Sequence, residues 1–98
     1  MTINMSQNGT TLEIALEGRL DTASAPELED ALKGKLSVCD ALVFDFSKVD
    51  YISSAGLRVL LMAHQGLRYG GTTKVKNASE IVKAVFGITG FDSILDIE

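Results

Sequence analysis

Residues 41–64 read ALVFDFSKVDYISSAGLRVLLMAH, and this stretch is the strongest indication of the fold in the sequence. The run Ala41–Phe46 is apolar without alternation, which is typical of a central strand covered on both faces. From Ser54 to His64 the apolar residues recur at helical spacing and predict a helix. Asp45 interrupts the apolar run near its end. We therefore expect the chain to leave a buried strand, cross a loop and enter a helix.

Two further strands are predicted upstream of this stretch. Leu12–Glu17 places Leu and Ile on one face and Glu on the other, as a strand with one buried face does. Ile3 and Met5 form a shorter alternating run. The turn residues at positions 7–10 lie between the two runs, so together they predict a hairpin.

A first helix is predicted between this hairpin and the central strand. Gly18–Ala23 is expected to be a loop, and Ser24-Ala25-Pro26-Glu27 has the spacing of a capping box with proline in the first turn. Leucines at helical spacing follow, which places the helix from about Ala25 to Ser37.

The segment downstream of the second helix predicts a strand, a third helix and a last strand. Gly70-Gly71 ends the second helix, Thr73–Asn77 is a short strand, Ser79 caps the third helix, and Ile94–Ile97 is the last strand. The order is β-β-α-β-α-β-α-β. It predicts an α/β fold, a mixed and mostly parallel sheet with helices packed on it, in one domain over residues 1–98.

The composition excludes several function classes. Nine Lys and Arg against thirteen Asp and Glu give a net charge of -4, which argues against a nucleic-acid-binding face. With Cys39 and His64 as the only residues of their types, neither a disulfide framework nor a metal cluster of Cys or His is expected. No apolar stretch approaches the ~20 residues of a membrane span, and no signal sequence is seen. We expect a cytoplasmic domain without a cofactor.

The start of the second helix carries two adjacent serines, Ser53 and Ser54. A serine there can cap the helix, or it can carry a phosphate, since the helix start tolerates an anion. The physical chemistry alone favours capping. A catalytic serine is disfavoured, because the G-x-S-x-G motif is absent and His64 lies two to three turns further along the helix. Glycine-rich phosphate loops are absent as well. An enzyme is therefore not expected.

The element order, Gly18–Asp21 and residues 45–61 together resemble the STAS domain, over essentially the whole chain. The chain is most similar to the single-domain anti-sigma factor antagonists of bacteria. The resemblance implies regulation of sigma-factor-dependent transcription by partner switching. The unphosphorylated antagonist would bind an anti-sigma factor that is also a serine kinase. Phosphorylation at the start of the second helix would release it, and a PPM-type serine phosphatase would reverse the mark.

The resemblance also implies site residues. The family motif reads Asp-Ser-Ser/Thr-Gly, and alignment on Gly56-Leu57 makes Ser54 the acceptor. Ser53 replaces the family's Asp and is a second candidate acceptor, and Ala55 replaces the second hydroxyl residue. Many members continue into a fourth helix beyond the position of Glu98, so an apolar strip is expected to be exposed. The expected partner-binding residues are Asp21, Asp50, Ser53, Ser54, Ala55, Gly56 and Arg58.

Two other functions compete with this interpretation. One is a STAS subunit without a serine switch, associated with a membrane transporter or a lipid-trafficking complex. The other is a small serine hydrolase or nucleotide-binding enzyme, which the lack of a usable base and a phosphate loop disfavours. The acceptor serine favours the switch over the first alternative.

Overall fold

The computed structural model describes residues 1–98, and the elements follow the predicted order. The sheet has the strand order β1-β2-β3-β4-β5, in which β1 is antiparallel to β2 and every other neighbouring pair is parallel. This confirms an α/β fold with a mixed, mostly parallel sheet. The elements are β1 (Thr2–Asn8), β2 (Thr11–Leu20), α1 (Ala25–Leu32), β3 (Ala41–Ile52), α2 (Ser54–Gly66), β4 (Thr72–Lys76), α3 (Glu80–Thr89), a 3₁₀ turn (Phe91–Ser93) and β5 (Asp96–Ile97).

The core lies on one face of the sheet. Since neighbouring parallel strands follow chain order, the right-handed crossover rule places all three helices on the same face. The large, fully buried strand residues lie on that face: Leu12, Ile14, Leu16, Leu20, Leu42, Phe44, Phe46 and Val75. Ala15, Val43 and Asp45 alternate with them and are only half-buried. The prediction that the central strand is covered on both faces is therefore wrong. The run Ala41–Phe46 is apolar because small apolar residues also occupy the open face.

Strand β3 is longer than predicted and contains two β-bulges. Between the register pairs Ala15–Asp45 and Glu17–Lys48, β2 advances two residues and β3 three, and a second extra residue, Asp50, follows before Tyr51. Each bulge shifts the phase of the strand, so the buried residues Phe46, Val49 and Ile52 recur every third residue. The loops predicted over residues 18–20 and 47–52 are therefore paired strand.

Helices α1 and α3 differ in whether a serine side chain caps their first turn, as the sequence predicts for both. Ser79 Oγ accepts a hydrogen bond from Val82 N at 3.2 Å, which confirms the predicted cap of α3. The capping box expected before α1 is absent. Ser24 Oγ donates to the Arg19 carbonyl and accepts from Asp21 N, so it is not available to the helix. Helix α1 also ends at Leu32 rather than at Ser37, because Lys33 with ψ 130° and Gly34 with φ +76° form a turn there.

Two features complete the fold. The exposed side of α3 carries Ile81 and Ile88, both large apolar side chains. None of the helices is long and apolar enough to cross a membrane.

Candidate functional site

The predicted site residues gather where the carboxyl ends of β2 and β3 meet the start of α2. Leu20 and Ile52 are register partners at the ends of the two strands. Ser53 follows Ile52, and its backbone N donates to the Leu20 carbonyl at 2.9 Å. Helix α2 then begins at Ser54, while β2 runs into Asp21. This edge of the sheet, from Arg19 to Asp21 and from Asp50 to Arg58, is called the serine edge below.

The first turn of α2 packs unusually close to β2, and Gly56 permits it. Gly56 is buried, and a Cβ at this position would lie 2.7 Å from Leu20 Cγ and 2.8 Å from Leu20 O. Any larger residue would force the helix start away from the strand. Gly56 is among the expected partner-binding residues, but because it is buried its contribution is indirect: it sets how close the serines lie to β2. Ala55 beside it is half-exposed.

The two serines occupy different environments. Ser54 is the first residue of α2 and is exposed, whereas Ser53 is half-buried and its Oγ is enclosed without a hydrogen-bond partner. Neither side chain caps the helix, so the expected capping role is wrong. Ser53 has extended backbone and sits at the N-cap position, but its hydroxyl accepts no N–H from the first turn. The N–H groups at the start of α2 therefore have no side-chain acceptor, and their partial positive charge can stabilise an anion at Ser54.

Asp21 places a fixed negative charge on the serine edge. Its carboxylate accepts hydrogen bonds from Ala23 N at 3.0 Å and from Ser24 N at 3.1 Å. The bond from the Ser24 backbone is the main cause that lowers the pKa of Asp21, and the bonds from the Ser24 side chain, Ala23 and Arg19 lower it further. The side chain keeps 30% of its surface exposed. Asp21 is therefore ionised, held in one orientation and open to a partner.

Asp50 and Arg58 are both exposed on this edge. Asp50 is the extra residue of the second bulge, a position that turns a side chain out of the regular ladder. Arg58 follows Ser54 by four residues on α2, so the two residues share one side of the helix. Asp21, Asp50, Ser54 and Arg58 thus all belong to the segments that meet at the serine edge, and each is at least partly exposed.

Arg19 and Tyr51 also belong to the serine edge, although no sequence motif marks them. They are register partners on β2 and β3, and the Arg19 guanidinium carbon lies 4.3 Å from the centre of the Tyr51 ring. Arg19 also pairs with Asp21 at 3.5 Å. The sequence does not predict this pairing, because residues 18–23 and 47–52 lack a two-residue hydrophobic period and read as loops. Recognition of the bulged strand would have placed the two side chains opposite each other.

The lone histidine and Asp45 lie away from this edge. His64 is half-buried, and its Nδ1 lies 2.8 Å from the hydroxyl of buried Thr73, so it joins α2 to β4. Ten residues of helix separate it from Ser54, about 15 Å along the axis. Asp45 lies in the middle of β3, where it accepts hydrogen bonds from Ser47 N and from Asn77 Nδ2 at 3.0 and 3.1 Å.

Comparison with known proteins identifies relatives along the whole chain. The model of a family described as "Mlab, STAS domain" matches residues 3–96. A candidate anti-sigma factor antagonist, BtrV of Bordetella bronchiseptica, is 34% identical over 99% of this chain and 85% of its own length. The anti-sigma-B factor antagonist of Bacillus subtilis is 30% identical over 97% of this chain and 88% of its own. The phosphorylated form of the Bacillus cell fate determinant SpoIIAA has the same fold, with a TM-score of 0.74 at 18% identity, over 99% of this chain and 91% of SpoIIAA.

Proposed function

Because the chain belongs to the STAS domain family, we propose that it is an anti-sigma factor antagonist that works by partner switching. In its unphosphorylated state it binds an anti-sigma factor that is also a serine kinase, and so frees a sigma factor for transcription. Phosphorylation of Ser54 releases it, and a PPM-type serine phosphatase restores it. ATP and catalysis belong to these cytoplasmic partners, and residues 1–98 serve as a single binding domain rather than an enzyme.

The observation that carries this proposal is the contrast between the two serines. A kinase must seat the acceptor hydroxyl in its own cleft, and Ser54 is exposed at the tip of α2. The Oγ of Ser53 is enclosed, so phosphorylation there would require the helix start to open. Ser54 is therefore the acceptor, in preference to the second candidate Ser53.

A phosphate on Ser54 changes the surface and leaves the fold intact. It adds about -1.5 to -2 charges at pH 7. The uncapped start of α2 and the guanidinium of Arg58 one turn along can both accommodate that charge. The ionised Asp21 carboxylate on the same edge makes the surface more acidic still. A partner that fits the serine edge with Ser54 unphosphorylated would then meet a bulky, hydrated dianion. Desolvation and like-charge repulsion would weaken binding.

The supporting precedent comes from SpoIIAA, a protein known in a phosphorylated form and in an unphosphorylated form. The proposal carries the same pair of states to this chain. A hundredfold loss of affinity corresponds to about 2.8 kcal/mol. One charged group in a docking surface can supply a loss of that size.

The test uses intact mass spectrometry after incubation with the anti-sigma kinase of the source bacterium and Mg-ATP. The wild-type chain should gain one phosphate, Ser54→Ala none, and Ser53→Ala one, which makes the neighbouring serine the matched control. Calorimetry with Ser54→Asp should show affinity for the kinase reduced by roughly a hundredfold. Phosphorylation of Ser54→Ala at the wild-type level would show that the acceptor is wrongly assigned. Wild-type affinity of Ser54→Asp would exclude the switch.

A further inference from the structure

We propose that Arg19 and Tyr51 form a second docking point for the kinase that phosphorylates Ser54. This docking point receives a carboxylate side chain of the kinase. This role rests on the function proposed above. It adds two residues to the partner surface and states what chemistry the partner must present to them.

The two side chains form a rigid, exposed platform. The Arg19 guanidinium carbon lies 4.3 Å from the Tyr51 ring centre, and Arg19 Nε lies 3.5 Å from the Asp21 carboxylate. Arg19 is thus held on its face by the ring and on one edge by an anion. Its side chain still has 60% of its surface exposed, and Tyr51 is 40% exposed. The remaining guanidinium N–H groups are free to donate to a partner.

The position of the platform makes it continuous with the serine edge. Side chains alternate between the two faces along β2, and Leu12, Ile14 and Leu16 face the helices. Arg19, an odd number of residues further along, therefore lies on the open face of the sheet. Tyr51 lies three residues before Ser54, a separation of at most about 10 Å along the chain. A kinase domain that encloses Ser54 covers a patch wider than this distance, since one side of a standard protein interface covers about 800 Å².

The chemistry of the platform indicates its occupant. Tyrosine and arginine are, with tryptophan, the residue types enriched among binding hot spots. An arginine that is already stacked and paired loses less side-chain entropy on binding than a free one. A guanidinium fork matches a carboxylate with two parallel hydrogen bonds. Lys48 nearby is paired with Glu17 at 4.0 Å and Arg58 lies on α2, so Arg19 is the arginine that the strands present to an acidic side chain on this edge.

The opposite edge of the sheet supplies a matched control. Arg68 there pairs with Asp40 at 3.4 Å, and Tyr69 beside it is fully exposed. The chain therefore carries an arginine and a tyrosine at both edges, and the two arginines are similarly exposed, Arg19 at 60% and Arg68 at 50%. Only the pair beside Ser54 is expected to affect the partner.

The experiment measures steady-state phosphorylation of Ser54 by the anti-sigma kinase of the source bacterium, with wild-type chain and the variants Arg19→Gln, Arg19→Lys and Tyr51→Ala. Loss of a hot-spot contact should raise KM about tenfold with kcat unchanged, because the acceptor hydroxyl is not altered. Arg19→Lys should not restore KM, since lysine offers neither the fork nor the planar stack. Arg68→Gln and Tyr69→Ala should retain the wild-type KM.

Each result decides the proposal. Thermal unfolding of every variant checks that the exposed substitutions leave the fold intact. A wild-type KM for both Arg19→Gln and Tyr51→Ala would overturn the docking role while leaving the switch standing. An equal rise in KM for the Arg68 and Tyr69 variants would also overturn it, because the effect would then be unspecific. If the wild-type chain gains no phosphate at all, both the proposed function and this role fail.

Discussion

Replacement of Gly56 by alanine is the sharpest test of how the serine edge is built. The new Cβ would lie 2.7 Å from Leu20 Cγ, 2.8 Å from Leu20 O and 3.0 Å from Ile52 Cγ1. Both neighbours are buried, and the Leu20 carbonyl accepts the Ser53 N–H bond that holds α2 against β2. The backbone oxygen cannot move without weakening that bond. The first turn of α2 must shift instead.

The expected magnitude follows from two opposing effects. Alanine within a helix is favoured over glycine by about 1 kcal/mol. Overpacking in a core costs about 1–3 kcal/mol, and the upper end applies here because one contact is with the backbone. The free energy of unfolding should therefore fall by about 2 kcal/mol. For a domain of this size, that loss lowers Tm by roughly 10 °C.

Gly66→Ala is the control, since Gly66 is the last residue of the same helix. A Cβ there would approach Leu36 Cδ1 at 2.8 Å, but this is the end of a half-buried side chain that can rotate away. Its Tm should stay within a few degrees of wild type. Urea and thermal unfolding followed by circular dichroism measure both variants. A Gly56→Ala chain as stable as Gly66→Ala would refute the close approach of α2 to β2.

Three other substitutions and one change of pH give direct checks, each measured from unfolding curves. Ser53→Ala removes an enclosed hydroxyl without a partner, so stability should be unchanged or rise by up to about 1 kcal/mol; a clear loss would mean that the hydroxyl is hydrogen-bonded. Ser79→Ala removes the α3 cap and should cost about 1 kcal/mol, and an unchanged midpoint would contradict the cap. Three carboxyls have pKa values lowered from the ordinary 3.8 by hydrogen bonds: Asp21, Asp40 and Asp45. Their contribution to stability is complete above pH 3.8 and is lost as the pH falls through the lower folded values, so unfolding titrations should be flat near neutrality and steepen below about pH 4. Asp45→Asn should lower the neutral stability and flatten this acid limb, and a limb as steep as that of the wild type would exclude Asp45 as a source.

Much of this architecture could be predicted because most elements obey a single hydrophobic period. The alternation at Leu12–Glu17 and the helical spacing after Ser54 both correspond to regular elements in the structure. The helix-forming leucines of α1 suggested a longer helix, since Leu32 and Leu36 still have helical spacing. The positive φ of Gly34 ends it earlier.

The features that the sequence does not predict depend on contacts between segments distant in the chain, or on a local change of the hydrophobic period. The second half of β3 resembles a loop in the sequence because bulges replace the two-residue hydrophobic period with a three-residue one. The predicted capping box does not form because the Ser24 hydroxyl donates its hydrogen bond to the Arg19 carbonyl. The Arg19–Tyr51 stack depends on cross-strand register, which no local pattern specifies. The environment of each serine likewise depends on how closely α2 meets β2.

The bulges of β3 also determine where the chain can change in length. Each inserts one residue, so that Val49 and Ile52 face the core and Ser54 emerges at the tip of α2. Deleting one residue between Phe46 and Ser53 would rotate the downstream side chains to the other face and carry the serine with them. The turn at positions 8–11 between β1 and β2 has no such link to the serine. Insertions should accumulate in that hairpin among related chains, whereas the spacing from strand to serine should remain constant.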